Sequence, residues 1–519
     1  MLFWTGGAKD RVSESEDHKE DLQRRVMLGA LVQLTTSLPA KLVGIGLTLL
    51  AARVLTPQLY GEYGLAVTIY GVSDLLTNPG VFTYFVRTPS ASRDALDSSF
   101  VVGVIRGLIL WILFWFLSPW IASLFDGGEQ VTILLQMLSS VFLIVSLKNP
   151  YVVQLYHDLD YQRMALLESL GGFLGNVIGL VLLWWTESPA ALVMGSLIAH
   201  SVGSVLSWVY SDERPRWHVN MGELREIWKF VRYLVINNVI IYLLLKLDDV
   251  YLGKVAGLAM LGFYSLSYKV ANDSVLYLIT TLRKVLLPAF VKVFEEDSKE
   301  RVEAVVRKSV GTLSGVSWAM VGMVAVSAHE IMMYVAPDPK WRGSEYVLIA
   351  LMPFVLVRAV NGVYGSLLLV AGRPEVLSRV AGLQLLGLVP LMWLGYELGE
   401  LVWTGDNLGG VLGVTLAIAV LNQGANLFLM SVSRRLFGVH MGRTLVLMWW
   451  WCVLFALGWG GAWYIKQWMD APLWAEGLIG ALMFLAVYAS GWQVLGKWAE
   501  ADGVDRPWGL VRRILGRFL

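Results

Sequence analysis

The stretch SSFVVGVIRGLILWILFWFLSPW, residues 98–120, decides the fold class. About 20 predominantly apolar residues suffice for a helix to cross the ~30 Å hydrocarbon core of a bilayer, and this run is long enough. One charge, Arg106, stands near its middle, and Trp111, Trp115 and Trp120 lie along it. Tryptophan favours the membrane–water interface, so the aromatic spacing and the apolar run point the same way.

Outward from this stretch the pattern repeats. About fourteen apolar segments fill the chain from near residue 28 onward. They are expected at 29–53, 62–86, 98–120, 131–155, 164–185, 189–210, 230–253, 261–289, 309–332, 345–371, 376–396, 408–433, 444–465 and 474–497. The expectation is an all-α polytopic membrane protein. Of 519 residues, 56% are hydrophobic and only 16% charged, well below the ~25% of soluble domains. The net charge of +1 argues neither for nor against a nucleic-acid partner, and none is expected. The single Cys452 sits in an apolar run, excludes an internal disulfide and reads as a buried thiol. Residues 1–27 are polar and of mixed charge, and read as a cytoplasmic tail without a cleavable signal peptide.

Loop charge sets the expected orientation. With the N-terminus inside, the outer loops hold Arg53, Lys254, Lys340, Arg342 and Lys466. The inner loops and tails hold several times as many basic residues, clustered at Arg214–Arg232, Lys292–Lys308 and Lys497–Arg517. This bias supports an even number of spans and both ends in the cytoplasm. The loops between spans are too short for a soluble catalytic domain. The longest inner ones, 211–229 and 291–308, read as solvated connectors.

An internal repeat is also visible. Tyr60-Gly61-Glu62-Tyr63-Gly64-Leu65 echoes Leu261-Gly262-Phe263-Tyr264-Ser265-Leu266 at an offset of 201 residues. A second echo, at an offset of 212, relates Asn149 through Asp160-Tyr161-Gln162-Arg163 to Asn361 through Gly372-Arg373-Pro374-Glu375. Both offsets correspond to six spans, so the halves share one orientation. The expected organisation is a cytoplasmic N-terminal tail (1–28), a six-helix bundle (29–210), a cytoplasmic linker (211–229) and a second six-helix bundle (230–435). Two further spans (444–497) and a basic cytoplasmic tail (498–519) complete it. The two bundles are expected to surround a central cavity.

Charges inside membrane helices are costly and mark interiors or wet pathways. On the first span Gln33, Ser37, Lys41, Gly44 and Thr48 share a face, with Lys41 near mid-membrane. The second carries Tyr70, Asp74 and Thr77, then Asn78-Pro79-Gly80, which should kink it. The seventh carries Asn238, Tyr242, Lys246 and Asp249. The eighth carries Ser265, Lys269, Asn272 and Asp273, and the tenth Arg358, Asn361 and Gly365. Lys246 can pair with Asp249, and Lys269 with Asp273, as helix neighbours. Lys41 and Arg358 have no acidic residue three or four positions away. Basic groups outnumber acidic ones in the spans, which suits an anionic, hydrophilic cargo; arginine and lysine bind phosphate by fork and by point charge. Lys41, Arg358, Lys269 and Lys246 are therefore the candidate pyrophosphate-binding residues. Asp74, Asp249, Asp273, Asn238 and Asn361 are candidates for cavity-lining or ion-coupling roles. No metal-ligand spacing, nucleotide loop or nucleophile motif is visible, so no cofactor is expected.

Ala51-Ala52-Arg53-Val54-Leu55-Thr56-Pro57-Gln58-Leu59-Tyr60-Gly61-Glu62-Tyr63-Gly64 resembles the first-loop signature of the polysaccharide transporter family, the Wzx-type flippases of the multidrug/oligosaccharidyl-lipid/polysaccharide superfamily. Leu247-Asp248-Asp249-Val250-Tyr251-Leu252-Gly253-Lys254, Leu287-Pro288-Ala289-Phe290, Trp341 and Ala371-Gly372-Arg373-Pro374 resemble its later motifs. The resemblance covers about residues 28–435. It implies a V-shaped pair of bundles that moves a polyprenyl-pyrophosphate-linked oligosaccharide from the inner to the outer leaflet by alternating access. It also implies work beside a polysaccharide polymerase and other export machinery in the inner membrane, and no enzymatic activity. An ion-coupled drug exporter is the nearest alternative, and a membrane-embedded polymerase or glycosyltransferase a more distant one. The Trp-rich stretch from Trp449 to Trp498 matches no motif.

Overall fold

The structure is a computed structural model that describes residues 32–33, 35–77, 80–272, 290, 299–403, 407–438, 453–462, 464 and 472–501. Among these residues the regular structure is helical. In chain order the longer helices are α1 (Thr35–Val54), α2 (Pro57–Thr77), α3 (Val81–Arg87), α4 (Arg93–Leu124), α5 (Gly128–Ser146), α6 (Tyr161–Thr186), α7 (Ala190–Val209) and α8 (Met221–Val255). There follow α9 (Leu258–Ala271), α10 (Lys299–Val326), α11 (Ala328–Val335), α12 (Ser344–Val370), α13 (Pro374–Val402), α14 (Leu408–Phe437), α15 (Val453–Ala462) and α16 (Leu473–Ala501). Eleven helices of the described residues are long and apolar enough to span a membrane. Of the fourteen expected spans, the other three fall on α2, on α9 and on α15; the expected spans of α9 and α15 run on into residues outside the described set.

Boundaries follow local chemistry. α4 is capped by Ser92, whose hydroxyl accepts the Ala95 N–H at 3.1 Å. The fourth span, expected to reach 155, ends at Ser146. Asn149-Pro150 instead starts a 3-10 turn, Pro150–Val153, with the Asn149 carboxamide accepting the Tyr151 N–H. Of the expected kink at Asn78-Pro79-Gly80, Asn78 and Pro79 lie outside the described residues; Gly80, with φ +81°, is the N-cap of α3.

The second sequence echo corresponds to one backbone device used twice. Before α6, the Asp158 and Asp160 N–H groups donate to the Gln154 and Leu155 carbonyls. Before α13, Ala371 and Arg373 donate to Leu367 and Leu368. The pattern is the same 6→1 and companion turn that closes a helix, with Leu159 and Gly372 in the left-handed region. The structural offset is one residue larger than the sequence echo suggests, because the turn aligns Asp160 with Arg373 and not with Gly372.

The chain forms two compact units. Unit one takes the described residues up to Leu55 and Ala66–Val239, and unit two takes Thr56–Leu65 and the residues from Ile240 onward. The division thus falls between α1 and α2, inside α2 and inside α8, and the 211–229 segment is part of unit one. In unit one the main helix pairs are α4 with α5 and α6 with α7. The 211–229 segment is pinned down where a solvated connector was expected. Buried Asp97 accepts from the Tyr151 hydroxyl (2.9 Å) and the Arg216 N–H (3.1 Å). Ser98 Oγ accepts the Asn220 N–H (2.8 Å), and the Asn149 carboxamide donates to the Glu213 carbonyl (2.9 Å). Each of these backbone groups finds a partner that water would otherwise supply.

In unit two, α12 packs against α9, α10 and α14, and α13 lies along α14. A Cβ on Gly413 would overlap the Gly395 carbonyl, so those two helices touch backbone to backbone. The start of α2 meets the start of α9 in the same way. A Cβ on Gly61 would overlap the Leu258 carbonyl, and a Cβ on Gly262 would overlap the Pro57 carbonyl. The relation is reciprocal, since Pro57 and Leu258 share the 201-residue offset of Gly61 and Gly262. Trp341, 2% exposed, braces the crossing, with its ring 5.8 Å from Tyr60 and 5.9 Å from Phe263. The C-terminal helix α16 docks on α10 and α11: Tyr488 donates to the Gly315 carbonyl (2.8 Å), Ser327 donates to the Gly477 carbonyl (2.9 Å), and Phe484 fills the space over Gly322.

Candidate functional site

In unit two, residues from α8, α9 and α12 meet in one polar cluster inside the apolar helices. On α8, Lys246 and Asp249 are one turn apart and form an ion pair, with Nζ 2.7 Å from Oδ2. Asp248 and Asp249 are both buried. Asp248 accepts the Tyr264 hydroxyl from α9 through one oxygen and its neighbour's N–H through the other. One turn further along α9 is Tyr268. The Lys246 ammonium lies 5.7 Å from its ring centre, and Arg358 of α12 donates Nη1 to its hydroxyl at 3.0 Å. Arg358 also lies 5.7 Å from the ring of Phe354, one turn earlier on its own helix.

Tyr268 is therefore the centre of the arrangement. One face receives Lys246, and its oxygen receives Arg358. Lys246 and Arg358, two of the four proposed anion-binding cations, converge here, as does Asp249. Two bases face two acids, so the basic excess counted over the spans is not reproduced within this cluster. The ammonium of Lys246 is already engaged by Asp249. Arg358 is partly exposed and has five N–H donors, one of which goes to Tyr268. Of the cations in this cluster, it is the better placed to bind a further anion.

Next to this cluster, Asn361 donates to the Asn422 carbonyl (3.5 Å), and Gln384 donates to the Asn422 Oδ1 (3.4 Å). Asn426, one turn on, is fully buried, and neither of its amide atoms has a hydrogen-bond partner among the described residues; the same holds for Asn361 Oδ1. The amides of α14 were missed in the sequence, although Asn422 and Asn426 mark one face of an apolar helix. Tyr264 and Tyr268 were missed because tyrosine in a membrane helix is as easily interfacial as functional.

The remaining candidates are elsewhere. Lys41 is exposed on α1 of unit one. Its helix is held to α6, with Gln33 donating to Glu168 (2.7 Å) and Asn176 donating to the Ala40 carbonyl (3.0 Å). Glu168 also accepts from Tyr156 (2.8 Å). Asn238 is half-buried on the unit-one part of α8, and Lys269 is exposed on α9. Asp74 falls within α2. Asp273 lies outside the described residues. Among the described residues, no group of His, Cys, Asp or Glu has the geometry to hold a metal ion.

An all-helical polytopic membrane protein with an arginine–tyrosine–lysine cluster between its helices is the class these observations define. The chain belongs to the polysaccharide biosynthesis protein family, whose sequence profile matches residues 50–343. It is 22% identical over 399 residues to the lipopolysaccharide biosynthesis protein WzxC of Escherichia coli K12, covering 75% of this chain and 78% of that protein. It is also 22% identical to the teichuronic acid biosynthesis protein TuaB of Bacillus subtilis 168, covering 59% of this chain and 62% of TuaB. Among solved structures, the fold is similar to the lipid II flippase MurJ in an inward closed conformation, with a TM-score of 0.70 and 14% identity over 91% of this chain and 99% of that one. An inward-facing multidrug resistance transporter of the MATE family gives a TM-score of 0.61 at 16% identity, over 80% and 98%.

Proposed function

We propose that this protein is a flippase that carries a polyprenyl-pyrophosphate-linked oligosaccharide from the inner to the outer leaflet by alternating access. The observation that supports this most is Arg358, a partly exposed guanidinium held in place by Tyr268 and Phe354 inside a membrane bundle. A pre-oriented fork with donors to spare suits a diphosphate oxygen pair. Family membership and the likeness to WzxC and TuaB favour a polysaccharide precursor as cargo, and the MurJ-like fold favours a lipid-linked one. In this reading Lys41 supplies a second positive charge along the route, and the Lys246–Asp249 pair gives way when the anion arrives. The protein resides in the inner membrane with both termini in the cytoplasm. A polysaccharide polymerase uses the delivered substrate, and the chain itself catalyses no reaction.

The test is flipping of a fluorescent polyprenyl-pyrophosphate oligosaccharide in proteoliposomes. Wild type is expected to flip it, and Arg358→Ala to lose at least about tenfold in rate, as expected for loss of one charge-assisted contact of ~1.5–3 kcal/mol. The Asp248–Asp249 pair favours one rival, a cation-coupled exporter of small molecules. Efflux of a cationic dye by protein that fails to flip the lipid under any ion gradient would favour that rival.

A further inference from the structure

α8 has 35 residues, so it is about 52 Å long at ~1.5 Å per residue, whereas the hydrocarbon core needs only about 20 residues. Hydrophobic residues predominate from Leu234 onward, interrupted by Asn237-Asn238, Lys246 and Asp248-Asp249. The first thirteen residues, 221–233, therefore stand at the depth of the headgroups on the side of the 211–229 segment. One face of this portion is committed: Ile227 and Val231 are buried with Phe85, Leu96, Tyr151 and Val153. The opposite face is open. Met221, Arg225, Trp228 and Arg232 follow at helical spacing, flanked by Lys229 and Tyr233, and all six are exposed. Trp228 is 59% exposed and Met221 74%. The Arg232 guanidinium lies 4.7 Å from the Tyr233 ring centre and donates to its hydroxyl at 2.9 Å.

We propose that this stripe binds the phosphates of anionic bilayer lipids in the adjoining leaflet. The proposal goes beyond the transport reading and rests only on α8 crossing a membrane. Large apolar and aromatic side chains are poorly placed in water and well placed among headgroups, where arginine and lysine meet phosphate. Two acids share this portion of the helix: Glu223 accepts the Ser92 hydroxyl (2.7 Å), and exposed Glu226 stands next to Arg225, so Arg225, Lys229 and Arg232 still leave it net positive, while Glu213 pairs with Arg93 (3.4 Å). The cations are strung along a convex helix and do not converge on one point. That geometry suits separate monophosphate headgroups in a leaflet and not one diphosphate. The segment before the helix extends the surface. Trp217, 73% exposed, is held between Arg216 and Asn220, whose N–H groups are fixed by Asp97 and Ser98.

The full-length protein is reconstituted in phosphatidylethanolamine vesicles with and without phosphatidylglycerol, and retained lipid is counted by native mass spectrometry. Wild type is expected to keep phosphatidylglycerol in preference to phosphatidylethanolamine. The variant Arg225→Gln/Lys229→Gln/Arg232→Gln is expected to lose it by about a hundredfold, in line with three basic residues near the headgroups. The variant Arg379→Gln/Arg434→Gln/Arg435→Gln, with as many charges removed elsewhere, is expected to keep it. Arg225→Gln alone, at an exposed position, supplies the readout if the triple variant misfolds, and a smaller loss is expected. Equal retention of the two lipids by wild type overturns the proposal, as does equal loss in both triple variants. Displacement of phosphatidylglycerol from the stripe by soluble farnesyl pyrophosphate also overturns it, and reassigns the stripe as a diphosphate site.

Discussion

Tyr268 links two cations by different physics, one through its ring and one through its oxygen, and this separates their mutational effects. Tyr268→Phe keeps the ring under Lys246 and removes the acceptor of Arg358. It is expected to slow flipping about fivefold, the equivalent of one hydrogen bond of ~1 kcal/mol, with little change in melting temperature. Lys246→Met is a different experiment, because Asp249 stays buried after its ammonium is gone. Thermal unfolding should reveal a loss of about 1–3 kcal/mol, largely restored in Lys246→Met/Asp249→Leu, since the double variant leaves no buried carboxylate without its cation. Asn426→Leu should raise stability by ~1 kcal/mol in the same assay, because the carboxamide is buried without hydrogen bonds to the described residues. Lys246, Asp249, Arg358 and Asn361 were legible in the sequence because a charge or amide stands out in an apolar run. Tyr264, Tyr268 and Asn422 were not, because their role depends on which helices touch, and period and composition do not encode that.

At the scale of elements, helix existence could be read from hydropathy, whereas the way helices end could not. Apolar runs located α4 through α7 and α12 through α14, but the stop at Ser146 depends on Asn149 and Pro150 forming a capped turn. The 211–229 segment shows a related limit: its charged side chains are largely exposed, as a connector's should be, but its path is fixed by contacts that composition does not reveal. Its charged residues look solvent-seeking, yet its backbone N–H groups are claimed by Asp97 and Ser98 on α4. Asp97→Ala removes the acceptor of both the Tyr151 hydroxyl and the Arg216 N–H. Hydrogen exchange at Arg216 is expected to accelerate by tenfold or more, while exchange in the middle of α4 stays unchanged. The close α13–α14 pair gives the sharpest packing test. Gly413→Leu has no room against the Gly395 carbonyl and is expected to abolish recovery of folded protein, as judged by size-exclusion chromatography.

For the whole molecule, the sequence made the class and the repeat visible, and the structure adds where the chain divides. The chain passes between the units at Leu55–Thr56, inside α2 and inside α8, so the 211–229 segment is not a junction and a cut there severs unit one from its own last element. Orientation is the property most directly open to test. In a Cys452→Ser background, a cysteine at Glu129 should react with a membrane-impermeant maleimide in intact cells, and one at His218 only after permeabilisation. The reverse labelling would invert the topology and move the basic stripe of α8 to the outer leaflet.

The crossing at Gly61 and Gly262 has an evolutionary consequence. Duplication normally frees one copy of a gene segment to drift while the other retains its task. Here each copy supplies both a glycine and the carbonyl against which its sister's glycine rests, so neither copy is a spare. The two positions are therefore coupled: a side chain at either one displaces the backbone of the other copy.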